Sequence, residues 1–376
     1  MRLVPAITDS LKDMLPWKLV NSLCAFPPFA GLAHAAYAGM FAYLKILGLH
    51  INTECNYDCA YCYTDRKCNA LATADWIKII DDAKRLGVLN INFVGGEPLL
   101  HKDLSYLLSY TAKRKFNIGI FTNGSLLDER WFREIKALPV RTYVAIKYDY
   151  DAETYHKHTG KGELFQKVCR SIKACAESGI RTVTFTTLTA HNVDFAREIV
   201  DSSVKLGAYP VFERYVPVQG PEVNKGLEVD ARRYTSAMKQ VAKAYEKARD
   251  VIHGKCHLTG RFCYCYMGEI SITPDGFALP CAYAPKALNI GNVRQDPIGT
   301  IWKRYQKERK KWVLPRECSS CRSRSICGGG CKTHAFLKYG DVNKKDPLCE
   351  GFPPVYGQCG WCAMHYTLDD LFSGKP

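Results

Sequence analysis

Three cysteines, Cys55, Cys59 and Cys62, stand in Cys-x3-Cys-x2-Cys spacing within the segment CNYDCAYCY, directly after an apolar run. Three thiolates so placed can hold a metal centre and leave a fourth coordination position open; on a four-iron cluster, one iron would be free to bind another molecule. A structural zinc site wants four ligands in paired short spacings, which this triplet does not supply. Downstream, Gly95-Gly96-Glu97-Pro98 joins two residues that let the backbone approach a ligand closely to a carboxylate that accepts hydrogen bonds. A second set crowds the C-terminal third: Cys256, Cys263, Cys265, Cys281, Cys318, Cys321, Cys327, Cys331, Cys349, Cys359 and Cys362. Eighteen cysteines in 376 residues, clustered in short repeats, point to metal or iron–sulfur ligation; in a small secreted chain they would suggest disulfides. Such clusters need a reducing compartment, and the expected location is the cytoplasm.

The elements that must position these residues alternate. Strand candidates are Ile46–Asn52, Asn90–Val94, Asn117–Phe121, Thr142–Ile146, Thr182–Leu188 and Pro210–Tyr215, short apolar or β-branched runs mostly bounded by Gly, Asn or charged residues. Between them lie stretches with helical spacing: Ala74–Leu86, Leu104–Lys115, Asp128–Leu138, Leu164–Ser178 and Asp194–Leu206. Strands separated by helices imply right-handed βαβ units and a parallel sheet. The cysteine triplet, the Gly-Gly-Glu-Pro turn and Thr122-Asn123-Gly124 each follow a strand, the end at which such folds gather reactive groups. The expected division is an apolar segment over 1–45, the α/β unit over 46–220, a linker with a connector helix (Asp230–Ile252) over 221–256, and a cysteine-rich unit over 257–376 that is poor in regular elements and folded around its metal centres.

The totals agree with a folded chain, 47% hydrophobic and 12% aromatic. The formal charge of +15 suggests nucleic acid at first sight. About eleven thiolates on three clusters with cores of roughly +2 would lower it to roughly +10. The basic residues are also dispersed; their densest run, Lys303 to Lys311, reads as a solvated helix face, with an acidic partner as the alternative. No nucleic-acid partner is expected. Leu19 to Leu44 carries no charge, but Pro27-Pro28 leaves only about 16 apolar residues where a membrane span needs roughly 20. That segment is expected to pack on the barrel or to rest on a membrane surface or apolar substrate.

On these residues the chain resembles the radical S-adenosylmethionine (SAM) enzymes. The resemblance implies a partial (β/α)6 barrel in which Cys55, Cys59 and Cys62 hold a 4Fe-4S cluster whose free iron chelates the methionine part of SAM. Tyr61 fits the aromatic that the family carries inside the triplet. Gly95, Gly96, Glu97 and Pro98 match the family's GGEP motif, implied to bind the SAM amino group, and Asn123 matches its TNG, with an ordinary turn residue as the alternative. The fourth strand reads AIKYD where relatives commonly have a serine-containing stretch for ribose contact; Lys147 stands at the serine-like position and Asp149 at the aspartate-like one, so Lys147 is expected at SAM or at substrate. Glu213-Arg214 is the last polar pair expected to face the cavity, an ordinary salt bridge being the alternative.

The C-terminal register, Gly276-x4-Cys281, Cys318-x2-Cys321-x5-Cys327-x3-Cys331 and Cys349, resembles the SPASM domain, which holds two auxiliary 4Fe-4S clusters. By that resemblance Cys318, Cys321, Cys327 and Cys349 hold the outer cluster. Cys281 and Cys331 help hold the inner one, completed by two of Cys256, Cys263 and Cys265, with Cys263 and Cys265 chosen. A pair of four-cysteine zinc sites is the competing reading. Cys359 and Cys362 fall outside the pattern, Cys68 is a candidate to enter the cavity, and Cys24, Cys169 and Cys175 read as small buried residues.

The implied cofactors are SAM and three 4Fe-4S clusters, with a one-electron donor such as flavodoxin or ferredoxin. SPASM-containing relatives mostly modify peptides or proteins, and a peptide or protein substrate is expected here. Ala282 follows Cys281 where sulfatase-maturing relatives place an aspartate, which disfavours that activity. About 45 residues precede the first strand, leaving no room for the longer peptide-clasping domain of many relatives, so a separate peptide-recognition protein is allowed. A lipid or other apolar substrate is the alternative, and a basic metal-binding module for nucleic acid, without SAM chemistry, is a second.

Overall fold

The structure is a computed structural model, and it describes residues 44–65, 68–218, 224–247, 268–321 and 328–350. The apolar segment before Leu44, Cys24, Cys256, Cys263, Cys265, Cys327, Cys359 and Cys362 lie outside the described residues.

Six parallel strands follow the expected alternation: β1 (Ile46–His50), β2 (Asn90–Val94), β3 (Asn117–Thr122), β4 (Thr142–Lys147), β5 (Arg181–Leu188) and β6 (Tyr209–Arg214). The helices between them are α1 (Thr73–Arg85), α2 (Leu104–Lys113), α3 (Glu129–Lys136), α4 (Ala152–Thr159), α5 (Phe165–Glu177) and α6 (Ala196–Lys205), and α7 (Ala231–Lys247) leads out of the barrel. The helices other than α4 lay an apolar stripe on the sheet. In α1, Trp76, Ile79, Ile80 and Ala83 repeat at helical spacing and are buried. Side chains cap the entries of two helices: Asp128 accepts from Trp131 N at 3.0 Å, and Asp151 accepts from Thr154 N at 2.7 Å. The short α4 escapes the sequence reading because AETYHKHT has little apolar periodicity; its cap and the left-handed Gly160 that ends it are the local signals.

The strands are buried on both faces, as parallel strands between helices and a filled interior must be. Leu47, Leu49, Ile91, Phe93, Ile118, Ile120, Val144 and Ile146 pack outward under the helices in one continuous core. Tyr143, Ala145, Val183 and Val211, with Phe121 and Phe185, form a separate cluster on the inner face. One cavity is lined by residues of all six strands, so the sheet curls around it.

Short regular elements among the described residues of the C-terminal third join the barrel. After α7 the chain returns as β7 (Glu269–Ile272), which pairs in parallel with the other edge of β1, Gly48 opposite Ser271. A Cβ on Gly48 would lie 2.8 Å from Ser271 Oγ, so a larger residue there would turn the serine hydroxyl aside. Antiparallel β8 (Phe277–Leu279) and β9 (Gly291–Asn292) extend the sheet, giving the order β6-β5-β4-β3-β2-β1-β7-β8-β9. Helices α8 (Ile298–Arg309) and α9 (Lys332–Tyr339) follow. In α8, Ile298, Ile301, Trp302 and Tyr305 face inward, while Lys303, Arg304 and Lys307 lie on the exposed face. No helix among the described residues is long and apolar enough to cross a membrane.

Candidate functional site

The cavity opens where the strands of the parallel sheet end. Cys55, Cys59 and Cys62 all line it, together with Tyr61, Gly95, Gly96, Asn123 and Lys147. A tight turn in which Cys62 N donates to Cys59 O at 3.0 Å holds the last two cysteines together. Burial pushes the Cys59 thiol up to about 12, and the neighbouring Cys62 and Cys55 add to the rise. A bare thiolate is therefore disfavoured there, and the triplet suits a cationic centre that would compensate three thiolates at once. No three His, Cys, Asp or Glu side chains among the described residues converge on one point as for a single metal ion. A cluster asks for less convergence, because each thiolate meets a different iron.

The Gly95-Gly96-Glu97-Pro98 turn is stitched to the segment that leaves β1. Gly96 N donates to Asn52 O at 3.0 Å, Glu97 N to Glu54 O at 2.6 Å, and Asn52 Nδ2 to Glu97 O at 2.9 Å. Both glycines are required by close approach: a Cβ would lie 2.3 Å from Asn52 Oδ1 at Gly95, where φ is +154°, and 2.1 Å from Glu54 O at Gly96. The Glu97 side chain turns away from the cavity. It accepts from Leu99 N at 3.1 Å, Thr122 Oγ1 at 2.7 Å and Asn123 N at 2.7 Å, and burial pushes it up to about 7 against these three bonds. Pro98 is buried behind it, opening a single 3-10 turn (Pro98–Leu100). Thus Gly95 and Gly96 present backbone to the cavity, while Glu97 ties the ends of β2 and β3 together. The Asn123 amide is held by Asn56 Oδ1 at 2.8 Å and by Ser125, whose N–H donates to its Oδ1 at 2.9 Å.

Lys147 reaches the cavity from the end of β4, and its Nζ donates to Asp149 Oδ2 at 2.5 Å. Asp149 is fully buried and not part of the cavity wall. It also meets His158 Nδ1 at 3.0 Å and accepts from Asn192 Nδ2 at 2.8 Å, and His158 Nε2 meets Thr189 Oγ1 at 2.8 Å. Burial alone would raise the Asp149 carboxyl; Lys147 and His158 outweigh it and hold the group below the usual carboxylate range. His158, Thr189 and Asn192 carry no motif and escape sequence reading. Cys68, the other candidate for the cavity, stays out of it, its thiol directed to Asp65 O at 3.5 Å.

The C-terminal unit reaches the same cavity. Cys281, Ala282 and Tyr283 line it, and the Tyr283 ring meets Tyr63 edge-on at 4.9 Å. Cys281 Sγ is 3.3 Å from Thr333 Oγ1, in the first turn of α9, whose N-cap is Cys331. The structure thus brings Cys281 and Cys331 to one helix end. Cys318, Cys321 and Cys349 form a second group: burial raises the Cys318 thiol, and its neighbours Cys349 and Cys321 raise it further. None of the described cysteines forms a disulfide. Arg214, last residue of β6, ties barrel to tail. It donates to Asp346 Oδ2 at 2.5 Å, which also accepts from Cys331 N at 3.0 Å, and Asp346 Oδ1 accepts from Leu348 N at 3.0 Å. Glu213 and Arg214 both line the cavity, as expected of the last polar pair, and the salt bridge that Arg214 makes is to Asp346.

Comparison with known proteins follows the same division. The Radical SAM superfamily profile matches residues 49–202, and the SPASM profile, an iron–sulfur cluster-binding domain, matches residues 263–322. The chain is 28% identical to PqqA peptide cyclase of Granulibacter bethesdensis, over 86% of this chain and 88% of that one. It is 25% identical to Fe-coproporphyrin III synthase of Methanosarcina barkeri, over 80% of this chain and 86% of that one. Among solved structures, SuiB of Streptococcus suis bound to S-adenosylmethionine superposes with a TM-score of 0.66 at 18% identity, over 86% of this chain and 82% of that one. The structure of anSMEcpe with bound AdoMet and Cp18Cys peptide superposes with a TM-score of 0.68 at 16% identity, over 82% of this chain and 94% of that one.

Proposed function

From the premise that the chain belongs to the radical SAM superfamily and carries a SPASM domain, we propose that it modifies a peptide or protein in the cytoplasm. In this reading Cys55, Cys59 and Cys62 hold the SAM-binding cluster. Gly95 and Gly96 offer backbone to SAM, and Glu97, Pro98 and Asn123 keep that backbone in place. Lys147 presents an ammonium, steadied by Asp149, to SAM or substrate. Cys263, Cys265, Cys281 and Cys331 hold the inner auxiliary cluster, and Cys318, Cys321, Cys327 and Cys349 the outer one. When bound, cluster and SAM supply a 5′-deoxyadenosyl radical able to remove hydrogen from an unactivated carbon. The protein's part is to bind, orient and exclude water. A one-electron donor such as flavodoxin or ferredoxin completes the system, and a separate peptide-recognition protein is compatible with it.

The observation that carries this reading is a single cavity lined by the cysteine triplet, the Gly-Gly turn and Cys281 from the C-terminal unit. The peptide substrate is supported by likeness to PqqA peptide cyclase. Likeness to Fe-coproporphyrin III synthase favours a second reading, a tetrapyrrole substrate. Iron, acid-labile sulfide and zinc per chain after anaerobic reconstitution test the cofactors: about twelve irons with matching sulfide are expected, and about four irons with two zincs would sink the SPASM assignment. The same sample, reduced with SAM present, should form 5′-deoxyadenosine and change the mass of a peptide encoded beside its gene. Formation of Fe-coproporphyrin III from a tetrapyrrole precursor, with every such peptide left intact, would favour the tetrapyrrole instead.

A further inference from the structure

Two acidic side chains face the cavity and have no part in holding the cluster or SAM in the reading above: Glu213, near the end of β6, and Glu269, which opens β7. Glu213 is 9% exposed, and its Oε2 is buried with no hydrogen-bond partner among the described residues. Ser271, two residues beyond Glu269 and therefore on the same face of β7, also lines the cavity with its Oγ buried and unpartnered among the described residues. Arg214 lines the same cavity and its charge opposes the rise of the Glu213 carboxyl, but its guanidinium is bonded to Asp346. Buried acceptors left unpaired are costly, and two carboxyls within electrostatic reach of each other compound that cost. Burial pushes Glu269 up to about 8, and burial followed by Glu269 and Cys281 pushes Glu213 well above the carboxylate range. Glu213 Oε2 and Ser271 Oγ thus meet the cavity with no partner among the described residues.

We propose that Glu213 and Glu269 form an acidic subsite that receives a cationic side chain, lysine or arginine, of the peptide substrate. The inference rests on the peptide reading. A cation beside Glu213 offsets the cost of charging a buried carboxyl and lets it ionise, which a neutral donor does not do as well. Tyr63, Phe121, Phe185 and Tyr283 wall the same cavity, and ring faces favour an ammonium or guanidinium. The buried setting suits a long unbranched side chain, whose methylenes lie along the rings while its charge reaches the acids.

The test uses full-length, cluster-reconstituted, SAM-loaded protein and a pair of probes of one shape, cationic n-butylguanidinium and neutral n-butylurea, compared by equilibrium dialysis. Wild-type protein should prefer the cation by at least about tenfold, a charge-assisted contact against a neutral one, and Glu213→Gln should abolish the preference. If Glu213→Gln does not yield folded, iron-loaded protein, Glu269→Gln carries the same expectation. No preference in the wild type, or a preference kept in the variant, overturns the proposal. A parallel loss of SAM binding overturns it too, because the acids would then serve SAM's own cationic groups. Formation of 5′-deoxyadenosine in the same samples reports the radical SAM reading independently of where the probes bind.

Discussion

Arg214→Leu tests the link between barrel and tail. The substitution leaves Asp346, 2% exposed, as a buried carboxylate with the Cys331 and Leu348 amides and, at 4.0 Å, His334 Nδ1 as its remaining partners. Removing one partner of a buried ion pair costs about 3–5 kcal/mol. At about 2.1 cal/mol/K per residue, unfolding of 376 residues as one unit carries roughly 0.8 kcal/mol/K, so the melting temperature should fall by roughly 4–6 °C. Anaerobic calorimetry of cluster-loaded protein measures the fall, and iron per chain reports whether the loop of Cys331 and Cys349 still holds its centres. The double substitution with Asp346→Leu should recover much of the loss, since no lone charge remains. Burial by itself would raise the Asp346 carboxyl; Arg214 and the amides outweigh it and hold the group low. Its stabilising contribution is therefore fully present above about pH 4 and lost as pH falls through the depressed value. The gap between wild type and variant should narrow in that acid range. A fall under about 1 °C, or a double variant as unstable as the two singles summed, would refute the argument that this pair is a buried tie.

Three other substitutions probe the cavity. Gly95→Ala drives a Cβ into Asn52 at a backbone angle that side chains rarely adopt, and should cost at least about 2 kcal/mol in urea unfolding; an unchanged midpoint would show that the turn yields freely. Glu97→Ala strands the Leu99 and Asn123 amides and the Thr122 hydroxyl, a cost of about 3 kcal/mol with some water entry, and should weaken SAM binding by about tenfold in calorimetry. SAM affinity equal to wild type would mean that Glu97 does not organise the site. Lys147→Met removes a cation from buried Asp149 and should cost about 2–3 kcal/mol, most of it regained in Lys147→Arg; equal stability of the Met variant would count against the Lys147–Asp149 tie.

The sequence alone was enough for the alternation of six strands and helices, the cysteine triplet and the Gly-Gly turn, because each is written in local spacing. Apolar periodicity reports burial of one element's face, and cysteines a few residues apart must meet wherever their loop goes. The family assignment follows from the same local signals. Tertiary structure decided what faces what. EISI is too short to announce that β7 closes on β1, a pairing that joins Gly48 to Ser271 across more than half the chain. Glu97 reads as an acceptor for a ligand, yet Thr122 and Asn123 claim it once β2 and β3 lie side by side. Glu213 and Arg214 read as a polar pair facing the cavity, and both do line it, yet the partner of Arg214 is Asp346, 132 residues on, which local spacing does not announce. These partners depend on how the sheet curls and on strand register, and no spacing along a chain records which residues that curvature brings together.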